Sequence, residues 1–187
     1  MKNVLTLLFV LIASIGACAG SYDSSTGAVM SVEYEHHEIH AGSFFRAERQ
    51  ADLGNAASTT LVITTPNTTK WLHFRPALDL ELEGTIEIYE NPTTVSSGTA
   101  IIPHNANRNS PALSAATVLV DPIIDLASAT LIEKQVLGSG KSSGGDSDSM
   151  FEWVLKQNET YVIRITNNTT SNNQINLRCQ WYEHTNR

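Results

Sequence analysis

The chain is poor in charge. Only 17% of its 187 residues are Asp, Glu, Lys or Arg, which is too few, beside so many β-branched residues, for a disordered tail. Basic residues are the scarcer sign: 12 Lys and Arg stand against 19 Asp and Glu, a formal charge of −7. That balance excludes a protein that grips phosphate backbones, so nucleic acid is not an expected partner. Cysteine is nearly absent. Cys18 lies in the N-terminal apolar segment, and a chain cleaved behind Ala19 keeps only Cys179, so no disulfide framework exists. Cys179 falls on the apolar face of the last strand-like run and reads as a buried core thiol. No apolar run reaches the roughly 20 residues of a membrane-spanning helix. Helical periodicity is missing beyond that segment, apart from a short turn near Ala112–Ala116, and there is no internal repeat and no G-x-S-x-G elbow.

Small polar and β-branched residues fill the space. Ser, Thr and Asn number 18, 19 and 14, more than a quarter of the chain. Low charge with abundant Thr, Val and Ile predicts an all-β domain. Residues 1–19 read as a secretory signal: Lys2 is the positive start, Val4–Ile15 the apolar stretch, and Ala17-Cys18-Ala19 an A-x-A cleavage site. Ile15-Gly16-Ala17-Cys18 also fits a bacterial lipobox. A membrane partner follows only if this segment is retained or lipidated. Met30, just before the first strand-like run, is an alternative start. Residues 20–31 form a flexible polar leader, and residues 32–187 one β-sandwich domain.

Strand-like runs follow at short spacing: Val29–His40, Phe44–Glu48, a hairpin of Thr59–Thr65 and Lys70–Arg75, and Leu78–Glu83 continued by Ile86 and Ile88. Leu78, Leu80 and Leu82 alternate with Asp79, Glu81 and Glu83, the period of a half-buried strand. Thr99–Pro103, Thr117–Val120 and Thr130–Leu137 come next, then a second hairpin of Phe151–Lys156 and Tyr161–Thr166, and finally Gln174–Tyr182 with Ile175, Leu177, Cys179 and Trp181 on one face. About ten short strands predict an antiparallel β-sandwich of jelly-roll type. His104–Ser110, Gly138–Ser149 and Asn167–Asn173 are polar loops.

Few residues suggest chemistry, and each has a plainer reading. On a strand, His36, Glu38 and His40 would share one face, about 7 Å apart. Two of them, helped by His73 or His184, would suit a metal; a hydrogen-bonded His/Glu row at a sheet or subunit contact explains them as well. The cluster is not H-E-x-x-H. Gly138-Ser139-Gly140-Lys141-Ser142 lacks the first glycine of a phosphate loop, since position 135 is Gln135. Asp146-Ser147-Asp148 lacks the closing Glu of a calcium loop. Asp79, Glu81 and Glu83 would be a glycosidase's carboxylates only if they left the solvent face. Trp71, Trp153, Trp181, Tyr89, Tyr161 and Tyr182 make either a sugar-stacking platform or core packing, and their place inside strands favours packing. Asn67, Asn158, Asn167 and Asn168 begin glycosylation sequons, of the kind chance supplies in such a composition. No catalytic residue and no cofactor is expected.

Several segments in order resemble a widespread family of small structural proteins of tailed bacteriophages. They are Glu35-His36-His37-Glu38-Ile39-His40 with Gly42 and Phe44, Ile88-Tyr89-Glu90, and Asn105-Ala106-Asn107-Arg108-Asn109-Ser110. Glu152-Trp153-Val154-Leu155-Lys156 with Tyr161 and Arg164 follows, and then Trp181-Tyr182-Glu183-His184. The resemblance spans Val32 to His184, and the Asn-x-Asn-Arg loop and terminal Trp-Tyr-Glu-His are its most specific parts. It implies a non-enzymatic virion component, a head decoration (cement) protein on the outer capsid surface. Its partners would be the major capsid protein or other virion proteins and copies of itself. His36, His37, Glu38, His40, Asn105, Asn107, Arg108, Trp153, Trp181, Tyr182, Glu183 and His184 would then be fold and contact determinants. The signal-like start departs from that pattern. It keeps open a secreted or surface-anchored binding module of adhesin or carbohydrate-binding type, with a β-sandwich hydrolase and a filament subunit behind it.

Overall fold

A computed structural model describes residues 34–138 and 152–185. The chain divides into two compact units, 1–37 and 38–187, and of the first only Tyr34–His37 is described. The signal-like segment, the leader, the Lys141-Ser142 and Asp146–Asp148 motifs and most of Gly138–Ser149 lie outside the described residues.

Among the described residues one helix, α1 (Tyr34–Ala41), precedes thirteen strands. These are β1 (Phe44–Leu53), β2 (Ser58–Thr64), β3 (Lys70–Leu80), β4 (Gly84–Glu90), β5 (Thr94–Ser96), β6 (Thr99–Ile101) and β7 (His104–Asn105). They continue as β8 (Thr117–Val120), β9 (Ile123–Asp125), β10 (Thr130–Leu137), β11 (Trp153–Leu155), β12 (Thr160–Asn167) and β13 (Asn173–Thr185). One antiparallel sheet has the order β11-β3-β13-β1-β7, the other β10-β4-β12-β2-β8-β6, and β5 pairs with β9. With the insert β5–β9 set aside, the orders become 11-3-13-1 facing 10-4-12-2. Successive strands alternate between sheets except at β4–β10, which is the jelly-roll arrangement.

Period-2 patterning builds the core. Phe45, Trp181 and Phe74 lie side by side across β1, β13 and β3, and Leu177 pairs with Leu78. Opposite them Leu61, Ile163 and Ile88 form a row across β2, β12 and β4. All are buried in one cluster. Each such side chain contributes roughly 1.5–3 kcal/mol by leaving water. Cys179 sits in the same cluster at 0% exposure, and burial pushes its thiol up, as a core residue requires. Trp181 and Tyr161 are core residues in different sheets, which removes them from any sugar-stacking platform.

The structure corrects three local expectations. Tyr34–Ala41 is a helix where Val29–His40 read as a strand. Helical geometry sends residues i and i+2 to opposite sides, so His36, Glu38 and His40 do not form a row. The helix ends in a Schellman motif: Ser43 N donates to Glu38 O at 3.1 Å, Gly42 N to Ile39 O at 3.0 Å, and Gly42 takes φ +75°. A side chain at position 42 would also collide with Ser110. Neither expected hairpin forms, because β2 and β3 belong to different sheets, as do β11 and β12. Both connections are arches that cross the sandwich, and they brace each other: Thr65 Oγ1 donates to Lys156 O at 2.7 Å, and Gln157 Nε2 to Lys70 O at 3.0 Å. Finally, Leu78–Glu83 is not one strand. β3 stops at Leu80, and Glu81 N and Leu82 N turn to Gln174 O and Asn173 Oδ1 at 3.0 and 2.8 Å.

Candidate functional site

The insert between β4 and β10 supplies β6, the last strand of one sheet, and β7, the last strand of the other. The chain passes between these two edges at Ile102-Pro103, so the insert forms one lateral edge of the sandwich. Ile102 is 77% exposed there, and Leu113, on the return to β8, is 76% exposed. Ile123, in β9, is 68% exposed. Exposed apolar side chains mark a contact surface where they form a contiguous patch, whereas single ones are ordinary, and Leu131, Val136 and Val154 are exposed outside the insert.

That edge is pinned from below by the residues that carry the resemblance. Asn105 is buried; its Nδ2 donates to Gly42 O at 2.8 Å and Ala112 O at 3.1 Å, and its Oδ1 accepts from Asn107 N at 2.9 Å. Asn107 Nδ2 donates to His40 O at 3.1 Å, tying the loop to the end of α1. Arg108 reaches Asn105 O only at 3.5 Å and is exposed. Glu183, 2% exposed, is the second pin. Its carboxylate accepts from Trp181 Nε1 at 3.1 Å, Ser114 Oγ at 2.5 Å and Ala115 N at 3.1 Å. Leu113 therefore projects from a loop fixed on both sides, by Asn105 at Ala112 and by Glu183 at Ser114 and Ala115.

The expected histidine cluster is not assembled on α1. Glu38 is buried, and its carboxylate accepts from the Ser43 hydroxyl within the helix cap. Among the described residues no group of three or more His, Cys, Asp or Glu side chains is placed to hold a metal ion. His184 lies elsewhere, on the outer face of β13. There His73 Nδ1 meets Glu152 Oε1 at 2.6 Å, Tyr182 OH donates to the same oxygen at 3.0 Å, and His73 Nε2 faces His184 Nε2 at 2.7 Å. The His73 and Tyr182 rings stack with centroids 4.4 Å apart. Trp153, one residue past Glu152, is half-buried against the core.

On the outer face of the second sheet, Arg164 donates to Glu87 through Nε and Nη2 at 2.9 and 2.6 Å and to Tyr89 OH at 2.6 Å. Lys134 Nζ lies 3.0 Å from the other Glu87 oxygen. Burial works to raise the Glu87 carboxyl, but Arg164 and Lys134 outweigh it and hold it below the usual carboxylate range. Glu90 is likewise lowered against its burial, by Lys156 and the Tyr161 hydroxyl. The Glu87 contacts and the Glu90–Tyr161 contact are cross-strand ties, while Lys156 reaches Glu90 from just past β11.

Asp79 and Glu81 border an open groove of about 610 Å³ with Gln50, Asp52, Gln174 and Asn176. Asp79 is engaged by Asn176 Nδ2 at 3.3 Å and Arg178 Nε at 3.4 Å. Asn167, first residue of a sequon, is 1% exposed and donates to Leu53 O, Gly54 O and Ser171 O, so it serves the fold.

Sequence reading missed two groupings: the partnership of Glu183 with Ser114, 69 residues away, and the meeting of His73 of β3 and His184 of β13 with Glu152, which immediately precedes β11. Of the second, the sequence showed His73 inside a strand-like run, and suggested both histidines for a metal only as helpers to two of His36, Glu38 and His40. Comparison with protein-family models, with curated proteins and with solved structures finds no match to this chain.

Proposed function

We propose that this chain is a non-enzymatic structural protein of a virus particle, a decoration protein that binds the outer capsid lattice through the β6–β7 edge. The observation that carries the reading is the presentation of Leu113. An apolar side chain at 76% exposure stands on a loop whose neighbours are held by Asn105 and Glu183. A contact residue fixed before binding loses little freedom on docking. The residues that resemble the bacteriophage family thus act beneath the surface, as supports of the contact edge. A net charge of −7 suits an outward position, away from packaged nucleic acid. Repetition on a lattice lets each contact be weak.

The test is sedimentation of native material with mass-spectrometric mapping of the chain and its first residue. Recovery with virus particles, lost in an Ile102→Asp, Leu113→Asp double variant of unchanged melting temperature, supports the proposal. A chain found only as exported soluble or membrane-bound protein overturns it and makes the edge that of a secreted binding module.

A further inference from the structure

His73 and His184 face one another in a way that two neutral imidazoles do not favour. His73 Nδ1 points at a carboxylate oxygen, Glu152 Oε1, at 2.6 Å, and His184 Nδ1 at a backbone carbonyl, Thr185 O, at 3.2 Å. Both partners accept and cannot donate, so each Nδ1 carries the hydrogen. A neutral imidazole has only one N–H. Each Nε2 is then left with its lone pair, and the two Nε2 atoms lie 2.7 Å apart. Two lone pairs at that distance need a cation between them.

We infer that His73 and His184 form a two-histidine site for a tetragonal divalent transition-metal ion, Cu2+ first and Ni2+ second. Imidazole nitrogens bind such ions at about 2.0–2.1 Å. Two nitrogens 2.7 Å apart then subtend roughly 80° at the metal, close to adjacent corners of a square and well short of the tetrahedral angle. That geometry favours Cu2+ or Ni2+ over tetrahedral Zn2+, and the general order of affinities favours Cu2+. The outer contacts are those of metal-bound histidines, an Nδ1–H given to a carboxylate on one ring and to a carbonyl on the other. Tyr182 completes the support: its hydroxyl donates to the same Glu152 oxygen, and its ring stacks on His73. The register explains the assembly. His73 pairs with Tyr182, so Tyr182, His184 and His73 share the outer face, and Val154 opposite His73 brings Glu152 to the same side. The His73 side chain keeps 18% of its surface exposed, enough for an ion to arrive from solvent. Among the described residues His73 and His184 are the two imidazole ligands in place.

The test is Cu2+ titration of the full chain, followed by calorimetry and electron paramagnetic resonance. One equivalent should bind with hyperfine structure from two imidazole nitrogens. His73→Gln and His184→Gln should each weaken binding more than the roughly 10- to 100-fold expected when Glu152→Ala removes the outer support. His36→Gln with His40→Gln, on α1, should leave it unchanged. The spectrum of the unaltered protein gives a reading even if a variant fails to fold. Equal Cu2+ affinity in the His184→Gln protein, or a spectrum with a single imidazole nitrogen, would sink the assignment. So would failure to take up Cu2+ with nitrogen-15 spectra showing an imidazolium, because the cation between the rings is then a proton.

Discussion

Asn105 Nδ2 donates to the carbonyl of Gly42 at 2.8 Å, joining residues 63 positions apart in sequence. The same amide nitrogen serves Ala112, and the amide oxygen caps Asn107 N. Asn105→Ala leaves two carbonyls and one N–H without their partner. A buried polar group so orphaned costs about 1–3 kcal/mol. The variant should lose about 2–4 kcal/mol in denaturant unfolding, on that scale. Asn105→Asp should not rescue it, since a carboxylate cannot donate to Gly42 O. An unfolding midpoint equal to that of the parent would show that the pin is not structural.

Trp181 does two jobs at one end of the core. Its ring is 1% exposed beside Phe45, with centroids 6.4 Å apart, and its Nε1 supports the Glu183 carboxylate at 3.1 Å. Trp181→Ala should destabilise by roughly 3–5 kcal/mol, as for other buried aromatics. Trp181→Phe keeps much of the volume but leaves Glu183 one donor short, and should cost about 1–3 kcal/mol. Thermal melts of the two variants separate packing from hydrogen bonding; equal losses would contradict the split.

The alternation of Ile175, Leu177, Cys179 and Trp181 predicts an inward face, and all four are buried. Period 2 is a local property, so it survives in a single sequence. What is not local is which strand a turn leads to. Thr65-Pro66-Asn67 and Gln157-Asn158-Glu159 carry ordinary turn signals, yet both turns cross to the facing sheet. The same residues serve a hairpin or an arch, and only the core they close over decides. α1 was hidden for another reason. Tyr34–Ala41 has no apolar stripe, and its His-Glu-Ile-His order mimics strand alternation. Its clearest signal was Gly42, which ends it. The His73–His184 pairing depends on the β3–β13 register, which no short-range pattern specifies.

Acid should loosen the sheet that carries β4 and β12. Glu87 and Glu90 are both held below the usual value of 4.5 in the folded chain. A carboxyl depressed on folding adds stability above its unfolded value, and that stability is lost as pH falls through the folded one. Melting temperature should therefore be flat near neutrality and drop as pH falls below 4.5. Glu87→Gln should start lower at neutral pH and fall less steeply in acid. Arg164→Met should behave similarly, because it removes the guanidinium that lowers Glu87. Parallel acid limbs for parent and Glu87→Gln would show that this pairing does not set the slope.

Arg49 and Asp121 tie the two sheets at their margin. Arg49 lies on β1, yet its Nε donates to Thr59 Oγ1 of β2 at 3.0 Å and its Nη2 to Asp121 Oδ2 at 2.5 Å. Asp121 also accepts from Thr59 Oγ1 at 2.7 Å and Thr60 N at 2.9 Å, from a backbone at φ +46°. The ion pair is partly exposed, at 30% and 44% of the two side chains. Water screens such a pair, which is worth about 0.2–1 kcal/mol. Arg49→Met should therefore cost less than about 1 kcal/mol. Asp121→Ala should cost more, about 1–3 kcal/mol, because it also strips the acceptor from Thr59 and Thr60 and leaves alanine in a left-handed conformation. Asp121→Asn, which tolerates that conformation and still accepts, should fall between the two. A double-mutant cycle on Arg49 and Asp121 should return a coupling below about 1 kcal/mol. A larger coupling would mean that the guanidinium, rather than the aspartate's bonds to β2, holds the margin closed.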